Sequence, residues 1–259
     1  MKRLYISAVL FTLGLIAQAH AVGRLADVSI IDRDSGRALA AHFYRGEYWV
    51  AGSPGARYAI EIRNRLGERV LAVTSVDGVN VVSGVTAGWG QTGYVFAAGE
   101  AYQITGWRKS DSDVAVFAFT PSPNSYAERT GRPANVGVIG IALFRERPAA
   151  IVPEASLLGE AAPQERSDRA ADAAKSAGNI AWATPAPKLG TAHGQRENSF
   201  VMHTEFERMQ SEPNEIVRIR YDSMENLVAL GILPGSGPIR EPNPFPGMVS
   251  RSYVPDPPG

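Results

Sequence analysis

Short apolar stretches, separated by turn residues about every ten positions, run through residues 26–145 and constrain the fold more than any other feature. Tyr58, Ile60 and Ile62 alternate with small or charged residues, which is the period-two pattern of a strand with one face in a core. Helical patterns are nearly absent from this stretch. The sequence therefore predicts a mainly β domain over residues 22–147, an antiparallel β-sandwich of the immunoglobulin-like or jelly-roll type.

Two of the predicted strand regions carry specific signals. The dipeptide Asp77-Gly78 separates the strand patterns of residues 69–76 and 79–82, and a glycine at this point suits the positive φ of a two-residue hairpin turn. Residues 136–144 are apolar at almost every position, which is typical of a strand covered on both faces. We expect a hairpin at the first site and a central strand at the second.

The composition changes sharply after the predicted sandwich. Residues 148–192 contain 14 alanines together with repeated Pro, Ser, Glu and Gln, and few large apolar residues. That composition is typical of a linker. Residues 234–259 are dominated by Pro and Gly, which favour an extended tail.

A second ordered unit is predicted between the linker and the tail, over residues 193–233. Residues 198–207 and 215–221 have strand patterns, and a short helical pattern follows them. Asp222 is the expected N-terminal cap of this helix, and Met224 is expected on its buried side. We expect a small α+β unit that packs on or near the sandwich.

The N-terminus has the features of a secretory signal peptide. A positively charged start, Met1-Lys2-Arg3, precedes an apolar run over residues 4–16 and the small residues of Ala19-His20-Ala21. We expect residues 1–21 to be cleaved as a signal peptide, which predicts a periplasmic or secreted protein. The apolar run is shorter than the roughly 20 residues that span a bilayer, so no membrane span is expected after cleavage. The chain has no cysteine, and its fold must therefore hold without disulfides.

Several segments of the chain resemble segments of a known protein family. They are residues 44–52 (YRGEYWVAG), 76–81 (VDGVNV), 106–110 (GWRKS), 135–140 (NVGVIG), 190–194 (GTAHG) and 221–229. In these segments the chain resembles an uncharacterised family of exported proteobacterial proteins. The resemblance implies export and supplies no activity, cofactor or catalytic residue.

Composition and missing motifs exclude several classes of function. The 26 basic and 26 acidic residues balance, so no nucleic-acid partner is expected. There is no cysteine for a thiolate, no Gly-x-Ser-x-Gly elbow, no phosphate loop and no dinucleotide fingerprint. We therefore expect no cofactor.

Histidine is scarce, and His193 is the most suggestive of its few occurrences. It lies between glycines in a predicted loop, and Glu197 follows it. Because a histidine and a carboxylate together can bind a metal or transfer a proton, His193 and Glu197 are candidate catalytic residues; the alternative is an ordinary turn histidine. His203 would complete a metal site with His193 if the two met, but no zinc-binding spacing enforces this, and no metal is predicted. His42, flanked by apolar and aromatic residues, is expected to be structural.

Aromatic residues offer a second route to function. Trp89 lies between two glycines and is the best candidate for an exposed ring. In Trp107-Arg108-Lys109 an aromatic ring stands beside two cations, which would suit an acidic group or simply end a strand in solvent. Trp89, Trp107 and Arg108 are therefore the candidate ligand-binding residues, with burial in the core as the alternative for the rings.

Two functions follow from these observations. The first is an exported, non-catalytic protein of the bacterial envelope whose β-sandwich binds a protein or an envelope polysaccharide, since catalytic motifs are missing. The second is a hydrolase-like enzyme with a site around His193. The surroundings of His193 discriminate between them.

Overall fold

The computed structural model describes residues 21–148 and 187–234. The predicted signal peptide up to residue 20, most of the predicted linker and nearly all of the predicted tail lie outside these residues. The described chain is mainly β, as the sequence predicts. Its strands, in chain order, are β1 (Ala26–Asp32), β2 (Ala41–Tyr44), β3 (Glu47–Gly52), β4 (Tyr58–Asn64), β5 (Val70–Val76), β6 (Val79–Asn80), β7 (Tyr94–Phe96), β8 (Ala101–Ile104), β9 (Gly106–Arg108), β10 (Asp113–Pro121), β11 (Val138–Arg145), β12 (Leu189–Asn198) and β13 (Glu215–Ser223).

Seven strands form the largest sheet. Six of them lie in the order β2-β3-β13-β11-β5-β6. The seventh, β7, also pairs with β5. The neighbours are antiparallel except for β3 and β13, which are parallel. A parallel pair needs a long connection between its strands, and here the two strands are far apart in the sequence.

Two three-stranded sheets complete the β structure, with the orders β1-β4-β8 and β12-β10-β9. They meet where Thr105 separates β8 from β9: the Phe117 amide of β10 donates to the Thr105 carbonyl at 3.0 Å. Arg57, just before β4, forms a bridge with Ala118 of β10. The two sheets are therefore linked at a corner.

A single large hydrophobic cluster contains side chains from all three sheets. Tyr58 of β4 stacks on Phe119 of β10 with ring centroids 4.3 Å apart, and Tyr221 of β13 lies against Phe119 at 5.3 Å. Burial of these rings with the aliphatic side chains of the cluster stabilises the fold, because apolar area removed from water contributes roughly 25 cal/mol per Å².

The hairpin prediction is confirmed, and so is the central position of the second predicted strand. β5 and β6 form the hairpin, with Val76 opposite Val79, and the turn residues Asp77 and Gly78 have φ angles of 52° and 74°. Those left-handed angles are the ones that a two-residue turn requires. β11 lies between β5 and β13, as expected for a central strand. It is not covered on both faces, because Ile139, Ile141 and Leu143 are buried whereas the alternate residues from 138 to 142 are partly exposed.

The prediction for residues 198–207 is wrong. Residues 199–207 are not in a strand. The strand of this region is β12, Leu189–Asn198, which begins inside the predicted linker and ends where the predicted strand begins. Glycines at 190 and 194 weaken the alternating pattern of β12, although Leu189 and Thr191 are buried. β12 pairs with β10, and β13 lies in the middle of the large sheet. The strands after residue 187 thus belong to the same sheets as the strands of residues 26–145.

Two short α-helices are present in the described chain, α1 (Tyr126–Arg129) and α2 (Met224–Ala229). The cap of α2 is Ser223, whose hydroxyl accepts from the Asn226 amide at 3.1 Å, and not Asp222 as predicted. Asp222 is buried and accepts from the Leu189 amide at 3.0 Å. Met224 was expected on the buried side of the helix, but it is 57% exposed.

Candidate functional site

His193 lies in strand β12 and not in the predicted loop. Its imidazole packs on the ring of Tyr126 in α1, with centroids 5.6 Å apart. The pKa of His193 is lowered by partial burial and then by the positive charges of Lys109, Arg196 and Arg129. The charges that act on His193 are thus mainly cationic, whereas a catalytic histidine usually has a carboxylate to orient it.

Glu197 does not supply that carboxylate. It forms an ion pair of 2.7 Å with Arg33 and a second contact of 3.6 Å with Arg57. Among the described residues, no hydrogen bond or ion pair joins Glu197 to His193. The two predicted catalytic residues lie on one strand, but the structure gives them different partners.

His203 lies after β12, and its imidazole Nε2 is within hydrogen-bond distance, 3.0 Å, of a carboxylate oxygen of Asp111. Its side chain is 88% exposed. Over residues 21–148 and 187–234, no three His, Cys, Asp or Glu side chains are grouped so that they would hold a metal ion. His42, predicted to be structural, lies in β2 opposite Trp49.

Trp107 belongs to the core. It is 3% exposed, its indole N–H donates to the Ala192 carbonyl at 3.2 Å, and its ring meets Phe117 edge-on at 5.2 Å. The interpretation of Trp107 as a ligand-binding ring is thus corrected, because β9 directs this side chain inward.

Trp89 is exposed, as the sequence suggests, with 48% of its surface accessible. It borders a shallow depression of about 290 Å³ on the outer face of the large sheet. Ile216, which is 42% exposed, lines the same depression. The depression is smaller than the cleft beside Arg108.

Arg108, the third predicted ligand-binding residue, lies in this cleft. Its guanidinium donates to the Tyr94 hydroxyl at 3.0 Å and to the Ser199 hydroxyl at 3.2 Å, and also to the Ser199 carbonyl. Within the described chain, no carboxylate lies within ion-pair distance of Arg108. This half-buried cation therefore has only neutral hydrogen-bond partners.

The cleft has a volume of about 560 Å³ and two extended walls. Residues 92–96, which include β7, form one wall, and residues 200–204 form the other. Tyr102 and Arg108 also line the cleft, together with the acidic residues Glu100 and Asp111. Phe200 and Met202 are 76% and 94% exposed. Exposed large apolar side chains beside a cleft are typical of a binding surface.

The β7 wall is an open strand edge. Among the described residues, β7 has one strand neighbour, β5, so its other edge has no partner strand, and the residues of β7 line the cleft. Two buried asparagines hold its ends: Asn80 donates to the Thr92 carbonyl at 3.1 Å, and Asn64 donates to the Ala97 carbonyl at 2.8 Å. The edge is thus fixed in position while its middle has no described partner strand.

The opposite wall is anchored at both ends. The Ser199 amide donates to the Ser112 carbonyl at 2.7 Å, and the Val201 amide donates to the Asp111 carbonyl at 2.9 Å. Further along, Arg69 donates to the Glu205 carbonyl at 3.0 Å, and Phe206 packs on a small apolar cluster on the outer face of the large sheet. These contacts hold residues 200–204 away from β7.

A larger depression of about 720 Å³ lies around Arg69 and Glu146. It is less suited to a ligand, because these two side chains form an ion pair with each other, and Arg147 is paired with Glu207 at 2.7 Å. The cleft beside β7 is therefore the candidate functional site.

Most of this site was not found from the sequence. Arg108 was singled out, but Tyr94, Tyr102 and residues 200–204 were not recognised as parts of one cleft. The apolar residues Phe200 and Met202 give the only local signal, but the sequence pattern assigns them to a strand.

Comparisons with protein-family models, with curated proteins and with solved structures found no match to this chain. Among the described residues, no helix is both long enough and apolar enough to cross a membrane.

Proposed function

We propose that this chain is an exported, non-catalytic binding module of the bacterial envelope, whose sheets form a β-sandwich. Its cleft binds an extended segment of a protein partner. One observation carries the proposal: the open edge of β7 faces residues 200–204 across a cleft of about 560 Å³.

An extended peptide matches both walls of this cleft. Its backbone would pair with the free edge of β7, as happens when a peptide adds a strand to a sheet. Its side chains would alternate between the two sides, and those on one side would meet the exposed Phe200 and Met202. Backbone pairing supplies affinity, and the side-chain contacts supply selectivity.

Charge narrows the choice of peptide. Arg108 lies in the cleft with hydroxyl and carbonyl partners only, and an arginine fork binds a carboxylate with two parallel hydrogen bonds. We expect the bound segment to carry an Asp or Glu that reaches Arg108.

The alternative of a hydrolase-like enzyme around His193 gains no support from the site. Cations act on His193, and Glu197 is engaged by two arginines. A proton-transfer role for His193 would need a different partner. We therefore favour binding over catalysis.

Export is part of the proposal and rests on the N-terminal sequence. Its test is N-terminal sequencing of the protein from a periplasmic fraction and from the culture medium. A mature chain that begins at Val22 is expected. A chain found only in the cytoplasm with Met1 retained would overturn it.

Binding is tested with a phage library of random 12-residue peptides selected against the protein without its first 21 residues. We expect enrichment of peptides that are rich in β-branched residues and contain an acidic residue. Arg108→Met should weaken their binding at least tenfold, a loss of about 1.4 kcal/mol. In hydrogen–deuterium exchange, the bound peptide should slow exchange of the amides of residues 92–96.

Arg218→Met is the matched control, because Arg218 is exposed on the large sheet outside the cleft. It removes the same charge and should leave the affinity unchanged. The proposal fails if no peptide sequence is enriched, if both variants weaken binding equally, or if envelope glycans bind the cleft and peptides do not.

A further inference from the structure

Positive charge gathers around the neighbouring rings of Tyr126 and His193, on the side of β9 away from the cleft. The cations come from three parts of the chain: the turn after β9, the end of α1 with the residues that follow it, and β12. They are Lys109, Arg129, Arg132 and Arg196, which we call the basic patch.

The four cations lie around the same pair of rings, because the charges of Lys109, Arg129 and Arg196 all act on His193 and Arg132 contacts Tyr126. The guanidinium of Arg132 lies 5.8 Å from the ring centroid of Tyr126, and Tyr126 contacts both His193 at 5.6 Å and Trp107 at 4.9 Å. Arg196 is opposite Ala115 in the pairing of β12 with β10. The patch is therefore built on packed strands and a short helix rather than on a loose loop.

The patch is only weakly neutralised by the residues that the structure describes, through the charge of Asp113, which acts on Arg196 without an ion pair. None of its four cations has a carboxylate within ion-pair distance, whereas other arginines, such as Arg33 and Arg220, are paired with glutamates at 2.7 and 2.6 Å. The neighbouring acids have other partners: Glu128 accepts from the Ser122 hydroxyl, and Asp113 accepts from two serines of its own turn.

We propose that the basic patch is a second binding site, which takes an anionic polymer with phosphate or carboxylate groups along its chain. Arginine forks match such groups in geometry as well as in charge. Several cations from different elements suit a ligand with several charges, because each contact releases a counterion.

A polymer fits this patch better than a membrane surface does. The large apolar side chains that the described chain exposes, Phe200 and Met202 among them, do not include any member of the patch or its rings. A peripheral membrane site normally adds apolar anchors to its cations. The patch instead offers cations around two rings.

The patch is also independent of the proposed peptide cleft. Arg108 reaches Tyr94 and Ser199 in the cleft, whereas its neighbour Trp107 packs against Tyr126. Successive residues of a strand point to opposite sides, so Arg108 and Trp107 of β9 face opposite ways. Lys109, in the turn after β9, is close enough to His193 for its charge to act on that ring, which lies on the Trp107 side.

The test uses linear inorganic polyphosphate as the probe, titrated into the protein without its first 21 residues at several salt concentrations. We expect binding that weakens as salt increases. The triple variant Lys109→Gln, Arg129→Gln, Arg196→Gln should weaken it at least tenfold. It should also reduce the slope of log affinity against log salt by about one per cation removed, as for other polyanions.

The control variant removes three exposed cations elsewhere, Arg37→Gln, Arg63→Gln and Arg218→Gln, and should bind like the wild type. Melting curves establish that both triple variants are folded. Arg108→Met should also bind polyphosphate normally, so failure of the peptide proposal and failure of this one are separable.

Three results would overturn the proposal. They are no measurable binding of polyphosphate, an equal loss of affinity in the control variant, and tighter binding to vesicles that contain phosphatidylglycerol than to polyphosphate at equal phosphate concentration.

Discussion

The Tyr221 hydroxyl donates a hydrogen bond of 2.5 Å to the Asp77 carboxylate, and this contact ties β13 to the hairpin turn between β5 and β6. Asp77 also accepts from the amides of Gly137 and Thr191, each at 2.8 Å. The Thr191 hydroxyl extends the network to the Tyr58 hydroxyl at 2.6 Å. Asp77 thus bonds directly to β12, to β13 and to the residue before β11, and Thr191 connects this buried network to β4.

Replacing Asp77 should destabilise the whole fold. Asp77→Ala would leave the Tyr221 hydroxyl and two buried amides without their acceptor, and each unsatisfied buried group costs about 1–3 kcal/mol. We expect a loss of about 3 kcal/mol or more in the free energy of unfolding, measured by urea denaturation. Asp34→Ala, which removes an exposed partner of Arg57, should cost less than about 1 kcal/mol. Equal losses in the two variants would contradict the role of the network.

The network also predicts a pH dependence. Burial raises the pKa of Asp77 above its ordinary value of 3.8, against the lowering effect of its hydrogen bonds. The folded state therefore binds the proton more tightly than the unfolded state. The stabilisation that comes from the tighter proton binding of Asp77 in the folded state is fully present below pH 3.8. It is lost as the pH rises through the raised pKa.

The measurement compares the wild type with Asp77→Asn, which cannot titrate at this position. The free energy of unfolding of the wild type should fall relative to that of the variant as the pH rises above 3.8. If the wild type instead gains stability relative to the variant over the same range, the hydrogen bonds lower the pKa of Asp77 by more than burial raises it.

The β-rich fold was predictable because its strands carry local signals. Alternation at Tyr58, Ile60 and Ile62 and the left-handed turn at Asp77 and Gly78 depend only on neighbouring residues. The parallel pairing of β3 with β13 has no such signal, since it depends on packing between segments far apart in the sequence. For the same reason, β12 was missed at its glycine-containing start.

The candidate site was harder to predict than the fold. Arg108 was recognised from its neighbours in the sequence, but its partners Tyr94 and Ser199 come from two distant segments. Trp107, beside it, has the same local signal and is buried. Which of two neighbouring residues faces a cleft is decided by the strand's orientation in the folded sheet.

Gly106 of β9 lies where β9 and β10 approach closely, and its replacement tests this packing. A side chain at Gly106 would overlap the backbone carbonyl of Ala115 in β10, whereas one at Gly67 would meet nothing within 4 Å. Since overpacking costs about 1–3 kcal/mol, Gly106→Ala should lower the unfolding free energy by about that amount and Gly67→Ala should change it little. Thermal melting of both variants is the measurement, and equal melting temperatures would refute the close packing.

His193 reports on the basic patch directly. Its pKa is lowered by partial burial first, and then by Lys109, Arg196 and Arg129, so its ring should titrate below its ordinary value in proton NMR spectra. Lys109→Gln should raise this pKa because a like charge is removed, and Arg37→Gln should not. Bound polyphosphate should raise it too, because an anion favours the protonated ring. If the pKa rises on Lys109→Gln but not on adding polyphosphate, the cations surround His193 without binding an anion, and the basic patch is not a polymer site.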